Sequence, residues 1–268
     1  MTTQPEFDAK RVNGTQLRAA IERSGAAVIR GCFVADRIAE LWTRALSAYR
    51  IWQTRWERGE LDGDSRRHFE FGHIVLSNLD RPGEHGAVFT LIMQSALQQI
   101  LATLWNGNIA FLSSNCFPRR QVPGPAPNRP VPFHQDAIFL GDPGLILNFW
   151  IPLVSCGITA PGLEVVLDHP GEILTPTAGA ELLSTDYSGI ELSYDQVVRR
   201  WGKDKLWHPA LDRGDVMVFS HLTVHRTYHI YQTAAMTQPR ISLEMRCGDG
   251  KSPRLRAARQ DLLDVKVA

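Results

Sequence analysis

The chain has 268 residues, a formal net charge of +1, 44% hydrophobic and 21% charged residues. That is enough apolar material for a full core in one domain, and the balanced charge excludes a nucleic-acid-binding class and a disordered one. Cys32, Cys116, Cys156 and Cys247 stand apart with no CxxC pair, no apolar run approaches the ~18 residues of a membrane span, and the polar start does not read as a signal peptide. A cytoplasmic, small-molecule-binding protein, associated with neither membrane nor nucleic acid, is the expectation.

Leu17, Ala20 and Ile21 at helical spacing predict a helix over residues 14 to 24, and Ala26–Arg30 reads as a strand. Asp36 is positioned to cap a helix running to about Arg58. Its face of Ile38, Leu41, Trp42, Leu46, Tyr49 and Trp52 serves as core or as a homo-oligomer interface. Residues 59 to 86 are polar and Gly-rich, carry His68, His73 and His85, and read as an irregular, flap-like segment. Ala87 to Trp105 reads as one apolar helix ending at Asn106-Gly107.

The texture then changes. Residues 109 to 114 read as a strand, and Pro118 to Pro132 as a proline-rich loop. Short strands are expected at 133–139, 145–152, 163–167, 172–175, 216–220 and 240–247, with a helical insertion at 187–205. Turn residues such as Ala160-Pro161-Gly162 and Asp212-Arg213-Gly214-Asp215 separate them. The pattern predicts a mainly β fold with flanking helices, a sandwich or closed barrel. It divides into a helical part (1–107), a β core (108–250) and a C-terminal tail (251–268) of one domain.

His134-Gln135-Asp136, followed 91 residues later by His225, supplies two imidazoles and a carboxylate, the ligand set of non-haem Fe(II) with open positions. With nine His in the chain, an HxD triplet alone is close to a chance event. Strand alternation would put His134 and Asp136 on one face with Gln135 opposite. An unpaired carboxylate in so apolar a stretch is costly, and a metal removes the cost. His225 is preferred over His221 and His229 as third ligand, because Leu222-Thr223-Val224 lets the chain turn back into the barrel; the other two read as core or rim histidines.

Arg240, Ser242, Glu244 and Arg246 alternate strictly with Ile241, Leu243, Met245 and Cys247. If the polar face lines the interior, Arg240 offers a fork for a carboxylate, Ser242 a supporting hydroxyl and Glu244 a partner for an Arg. Asn148 and Trp150 share a face. Trp150 is either core packing or a pocket wall, and Arg119 and Arg120 are either solvated charge or contacts to an anionic substrate.

These residues resemble the phytanoyl-CoA dioxygenase (PhyH) family of Fe(II)/2-oxoglutarate-dependent oxygenases. The resemblance runs from about Ile109 to Cys247. It rests on Pro132-Phe133-His134-Gln135-Asp136-Ala137, Asn148 to Leu153, Gly162 to Val166, Gly214-Asp215 through His225, and Arg240 with Ser242. It implies a double-stranded β-helix (jelly-roll, cupin-like) core, with His134, Asp136 and His225 as iron ligands. It also implies Arg240 on the distal carboxylate of 2-oxoglutarate, Ser242 beside it, and O2 as oxidant; Asn148, if its face is interior, is placed to hydrogen-bond the same 2-oxoglutarate. Trp150, Phe139, Arg119 and Arg120 are the substrate-contact candidates.

Two segments depart from the family pattern: Leu167-Asp168-His169-Pro170-Gly171 replaces an ending in Pro-Gly-Ser-His, and Cys116 to Arg120 stands where relatives often carry a Lys. A carboxylate at position 136 implies hydroxylation, desaturation or ring formation over halogenation. A cupin-like metal enzyme without redox chemistry and a non-catalytic small-molecule binder are the alternatives.

Overall fold

The computed structural model describes residues 4–123, 130–177, 189–228 and 236–267. Two sheets form the β core. The larger has the strands β1 (Glu6–Asp8), β2 (Ala26–Arg30), β3 (Asn108–Leu112), β4 (Phe117–Gln121), β5 (Ile146–Pro152), β8 (Val216–Ser220), β10 (Arg240–Asp249) and β11 (Leu262–Lys266). Its order is β1-β2-β8-β5-β10-β3-β11, with β4 also on β10. The smaller runs β7 (Leu206–Trp207), β6 (Gly162–Val166), β9 (His225–Tyr228). Apart from the parallel β1–β2 pair, the ladders are antiparallel.

Side-chain alternation decides what each face of the larger sheet meets. Leu147, Phe149, Ile151, Val216, Val218, Ile241, Leu243, Met245 and Cys247 pack with Leu17, Ile21, Ile38, Leu41 and Ile100 of the helices. The opposite residues turn toward the smaller sheet, where Trp150, Met217 and Phe219 meet Leu163, Val165 and Leu167. Arg240, Ser242, Glu244 and Arg246 project into the same interior and are buried. The sheet is thus covered on both sides, and its polar groups are concentrated between the sheets.

Helix α1 (Gly14–Ser24) opens on a capping box between Asn13 and Gln16 and stops at Gly25. Helix α2 (Ala35–Glu57) has Val34 at its N-cap with no side-chain cap bond. Asp36 sits inside the first turn, where its charge favours the helix dipole, so the expected cap is corrected. The irregular reading of 59–86 is corrected too, since α3 (Gly63–Glu70) and a short 3-10 turn (Leu76–Leu79) lie there.

The single helix expected from Ala87 to Trp105 is two, α4 (Ala87–Met93) and α5 (Leu97–Thr103), with 77° between Ala87–Met93 and the stretch Leu97–Gly107. Ser95 Oγ donates to the Ile92 carbonyl at 2.7 Å, while Ala96 N–H donates at 3.1 Å to Cys32 and not back along the helix. The two bonds divert the ladder and make the bend. Among the described residues no single helix is long and apolar enough to cross a membrane.

Three further expectations change. Pro118 to Gln121 belong to β4 and not to a loop; β4 has a full ladder only with β10, and an edge tolerates a proline. Residues 172–175 form no strand, since Leu174 N–H donates to the Gln135 side chain at 2.7 Å. The tail carries α8 (Pro253–Ala258) and β11, which extends the larger sheet at β3. Helix α7 (Tyr194–Trp201) lies within the expected insertion, whose first residues, 187 and 188, fall outside the described residues.

Candidate metal centre

His134 and His225 face each other across an antiparallel bridge, each backbone N–H donating to the other's carbonyl at 3.0 Å. The strand expected over 133–139 ends there. Asp136 has helical backbone angles, and Ala137–Leu140 form one helical turn, α6, held by Ala137 N–H on the His221 carbonyl at 2.9 Å. His134 and Asp136 therefore converge through a turn and not through strand alternation. Gln135 does point away: its Nε2 donates to the carbonyls of Leu222 at 2.6 Å and Glu172 at 3.0 Å, which staples the turn to two loops.

One ligand atom from each of His134, Asp136 and His225 lies within 4.8 Å of the others, and all three residues are buried. Each imidazole has Nδ1 2.9 Å from a backbone carbonyl, Pro132 for His134 and Thr223 for His225. A carbonyl only accepts, so both Nδ1 atoms carry the hydrogen and both Nε2 atoms keep a free lone pair. Each Nε2 is 3.7 Å from Asp136 Oδ1. Burial, and for His134 the neighbouring His225, keeps both rings neutral; the His134 value falls to about 3.

Asp136 is asymmetric. Its Oδ2 accepts from Arg246 Nε at 2.6 Å, while Oδ1 is buried and has no partner among the described residues. Burial opposes its ionisation, but the charge and hydrogen bond of Arg246 outweigh that and hold its carboxyl below the ordinary value. Two neutral lone pairs and one orphaned carboxylate oxygen converging on one point are a donor set for a divalent cation, and a 2-His-1-carboxylate set suits Fe(II). The residues fit the metal.

A narrow cavity adjoins these atoms, about 320 Å³ including the open space at its mouth, lined by His134, His225, Asn148, Trp150, Phe219 and Arg240 among others. Arg240 is 1% exposed, lies over the Trp150 ring at 5.1 Å and reaches the Gly162 carbonyl at 3.3 Å. Among the described residues it has no carboxylate partner, and burial pushes its pKa down to about 10. Its Nε, Ser242 Oγ and Asn148 Oδ1 are buried without partners among the described residues. An unpaired guanidinium beside orphaned polar atoms matches a small carboxylate co-substrate.

The remaining candidates divide. Phe139, 48% exposed, lines a second, larger cleft, and Arg119 lines both cavities. Trp150 lines the small cavity only, so it walls the space beside Arg240 and not the larger cleft. Arg120 lines neither; it stacks on Tyr49 and Phe69 and donates to Gln53 at 2.8 Å, so its reading as a substrate contact is corrected to a structural one. His221 is buried, with its Nδ1 accepting from Ile146 N–H at 3.4 Å. His229 lies outside the described residues. Arg246 was legible only as a partner for Glu244; its place on the Arg240 face was the signal that it reaches the same interior.

A profile of the phytanoyl-CoA dioxygenase (PhyH) family matches residues 21–231. No curated protein matches the sequence. Solved structures share the fold. The non-haem monooxygenase ThoJ has 12% identity and a TM-score of 0.60, over 88% of this chain and 78% of that one. The epimerase SnoN, solved with Fe3+, alpha-ketoglutarate and nogalamycin RO, has 16% identity and a TM-score of 0.55 over 88% and 83%. The alpha-ketoglutarate-dependent carbocyclase SnoK has 12% identity and a TM-score of 0.53 over 96% and 98%. With the family profile spanning most of the chain and the jelly-roll sheets in place, the protein belongs to the phytanoyl-CoA dioxygenase (PhyH) family of non-haem iron enzymes, whose cofactor set is Fe(II), 2-oxoglutarate and O2.

Proposed function

We infer that the protein oxidises a C–H bond of a small organic substrate, by hydroxylation, desaturation or ring formation, as an Fe(II)- and 2-oxoglutarate-dependent dioxygenase. The observation that carries this reading is the orphaned Asp136 Oδ1 facing two free imidazole lone pairs, with the unpaired Arg240 lining the adjoining cavity. In it, His134, Asp136 and His225 hold the iron, and Arg240, with Ser242 and Asn148, receives the far carboxylate of 2-oxoglutarate.

When bound, iron with 2-oxoglutarate and O2 supplies an oxidant able to take hydrogen from a C–H bond, with succinate and CO2 as co-products. The protein's contributions follow from its own residues. The Pro132 and Thr223 carbonyls fix the imidazole tautomers, so Nε2 of each ring is available without losing a proton. Arg246 keeps Asp136 ionised and turns Oδ1 inward. Trp150 and Phe219 wall the small cavity with apolar surface and limit water beside Arg240.

Relatives of similar fold named as a monooxygenase, an epimerase and a carbocyclase support a common hydrogen-removing start with outcomes set by substrate placement. The carboxylate at position 136 fills the place a halide would need. The test is 2-oxoglutarate consumption: Fe(II)-loaded enzyme should release succinate, and Arg240→Ala should abolish that release at moderate co-substrate. Metal binding with no 2-oxoglutarate consumption under any substrate would favour the non-redox alternative.

A further inference from the structure

The larger cleft meets the small cavity at Arg119, Val131 and His134. It measures about 1610 Å³ including its open mouth, and its wall draws on α2, α3, the segment after α3, and Phe139. Trp52, Phe71, Phe117 and Phe139, with Ile74, Leu76 and Val131, make it largely apolar with a strong aromatic share. The ionised groups in the wall are cationic, Arg67 and Arg119; no carboxylate lines it among the described residues. Glu244, which pairs with Arg119, lines the small cavity and not the cleft.

One polar atom of the wall lacks a partner. The His73 ring lies over Phe117, centroids 4.0 Å apart and planes at 29°, and its Nε2 is buried with no hydrogen-bond partner among the described residues. Native structures keep few such atoms, and this one belongs to a residue of the cleft wall, next to the space a ligand would enter. Burial holds the ring neutral, with Arg119 adding to the effect. A neutral imidazole both donates and accepts, which matches a hydroxyl or carbonyl oxygen.

We propose that the cleft takes an uncharged or anionic substrate with a flat aromatic or otherwise apolar body, and that His73 is the hydrogen-bond partner of an oxygen on it. The aromatic wall favours a flat apolar body by stacking and burial. With no carboxylate in the wall among the described residues and Arg67 beside it, an ammonium finds no partner there, which disfavours amines. The proposal rests on the iron reading, because His134 is the point where such a substrate meets the reacting centre.

Three probes that share the naphthalene ring system test it: 2-naphthylmethanol, 2-naphthoate and 2-naphthylmethylamine. Their affinities are read by naphthalene fluorescence on protein loaded with redox-inactive Zn(II), which prevents turnover, and with saturating 2-oxoglutarate to occupy its own site. The alcohol and the carboxylate should each bind at least tenfold tighter than the amine. His73→Phe keeps the stack on Phe117 and should weaken the alcohol by roughly three- to tenfold, the size of one hydrogen bond. His73→Gln, which keeps a donor and an acceptor, should retain most of the affinity and serves if the Phe variant does not fold.

Equal affinity for the amine, no binding of any probe, or variants that bind the alcohol as the wild type does would each overturn the proposal. Succinate release by an enzyme that fails this selectivity would leave the iron reading standing. The selectivity without any 2-oxoglutarate turnover would overturn that reading alone.

Discussion

Arg246 Nε donates to Asp136 Oδ2 at 2.6 Å, and Arg246 Nη2 donates to Glu244 Oε2 at 2.8 Å. Glu244 in turn accepts from Arg119. Four buried or nearly buried charges thus run from β4 to the metal centre and sum to zero. Burial disfavours charge in each of Glu244 and Arg246, yet the chain of partners holds Glu244 well below the ordinary carboxylate range and Arg246 above its own. The orientation of Asp136 depends on this chain.

Removing Arg246 should therefore act on metal affinity. Arg246→Met is expected to weaken Fe(II) or Co(II) binding by about 10- to 100-fold, as loss of a partner behind a metal ligand does. It also leaves Asp136 and Glu244 without it, at a cost of about 3–5 kcal/mol in stability. Arg246→Lys keeps the charge without the fork and should fall between. Metal titration monitored on the folded fraction separates the two effects, and unchanged affinity in both variants would rule out the positioning role.

Arg240 should show the opposite balance. Its guanidinium is fully buried and unpaired by any carboxylate among the described residues, a cost to stability that, on the proposed reading, the far carboxylate of 2-oxoglutarate would relieve. Arg240→Met is expected to be as stable as the wild type or more so in the absence of 2-oxoglutarate, while losing the rise in melting temperature that 2-oxoglutarate gives the wild type. Thermal unfolding with and without the co-substrate reads both. A variant that is destabilised when free and still protected by 2-oxoglutarate would contradict this role.

The pH dependence of stability should carry the signature of His73. Folded His73 has its pKa well below 6.5 because it is buried, so the unfolded chain binds a proton that the native state does not. Stability is then full above pH 6.5 and falls as pH drops below it, by at most about 1.4 kcal/mol per pH unit from this group. Urea unfolding of His73→Phe between pH 7 and 5 should show a shallower decline than the wild type. Parallel profiles would mean that His73 titrates normally in the fold.

Gly72 joins α3 to the wall of the cleft. Its φ is +85°, and a Cβ there would stand 2.2 Å from the Arg120 carbonyl oxygen, whose own N–H donates to the Gly72 carbonyl at 2.8 Å. Gly72→Ala is expected to cost about 3 kcal/mol from strain and displacement combined. A change within 0.5 kcal/mol in urea unfolding would show that this segment shifts freely.

Much of this was legible because alternation in a doubly covered sheet is a strong signal. Ile241, Leu243, Met245 and Cys247 separate cleanly from Arg240, Ser242, Glu244 and Arg246, and the ligand triplet needed only residue types and order. The turn at Gln135 was not legible. Pro132, Phe133, Ala137, Ile138 and Phe139 suit a strand as well as a helical turn, and the choice is made by bonds to His221, Leu222 and Glu172, which are distant in sequence. The break between α4 and α5 was hidden for the same reason, since Cys32 captures the Ala96 N–H. His73 read as a polar loop residue because its stacking on Phe117 and the cleft around it exist only in the folded chain.

The central claim is that His134, Asp136 and His225 hold an iron to which 2-oxoglutarate binds with its far end on Arg240. The most direct measurement is the visible spectrum of the anaerobic protein with Fe(II) and 2-oxoglutarate. The wild type should develop a weak charge-transfer band, absent in Asp136→Ala and requiring far more 2-oxoglutarate in Arg240→Ala. A band that persists unchanged in both variants would contradict the assignment.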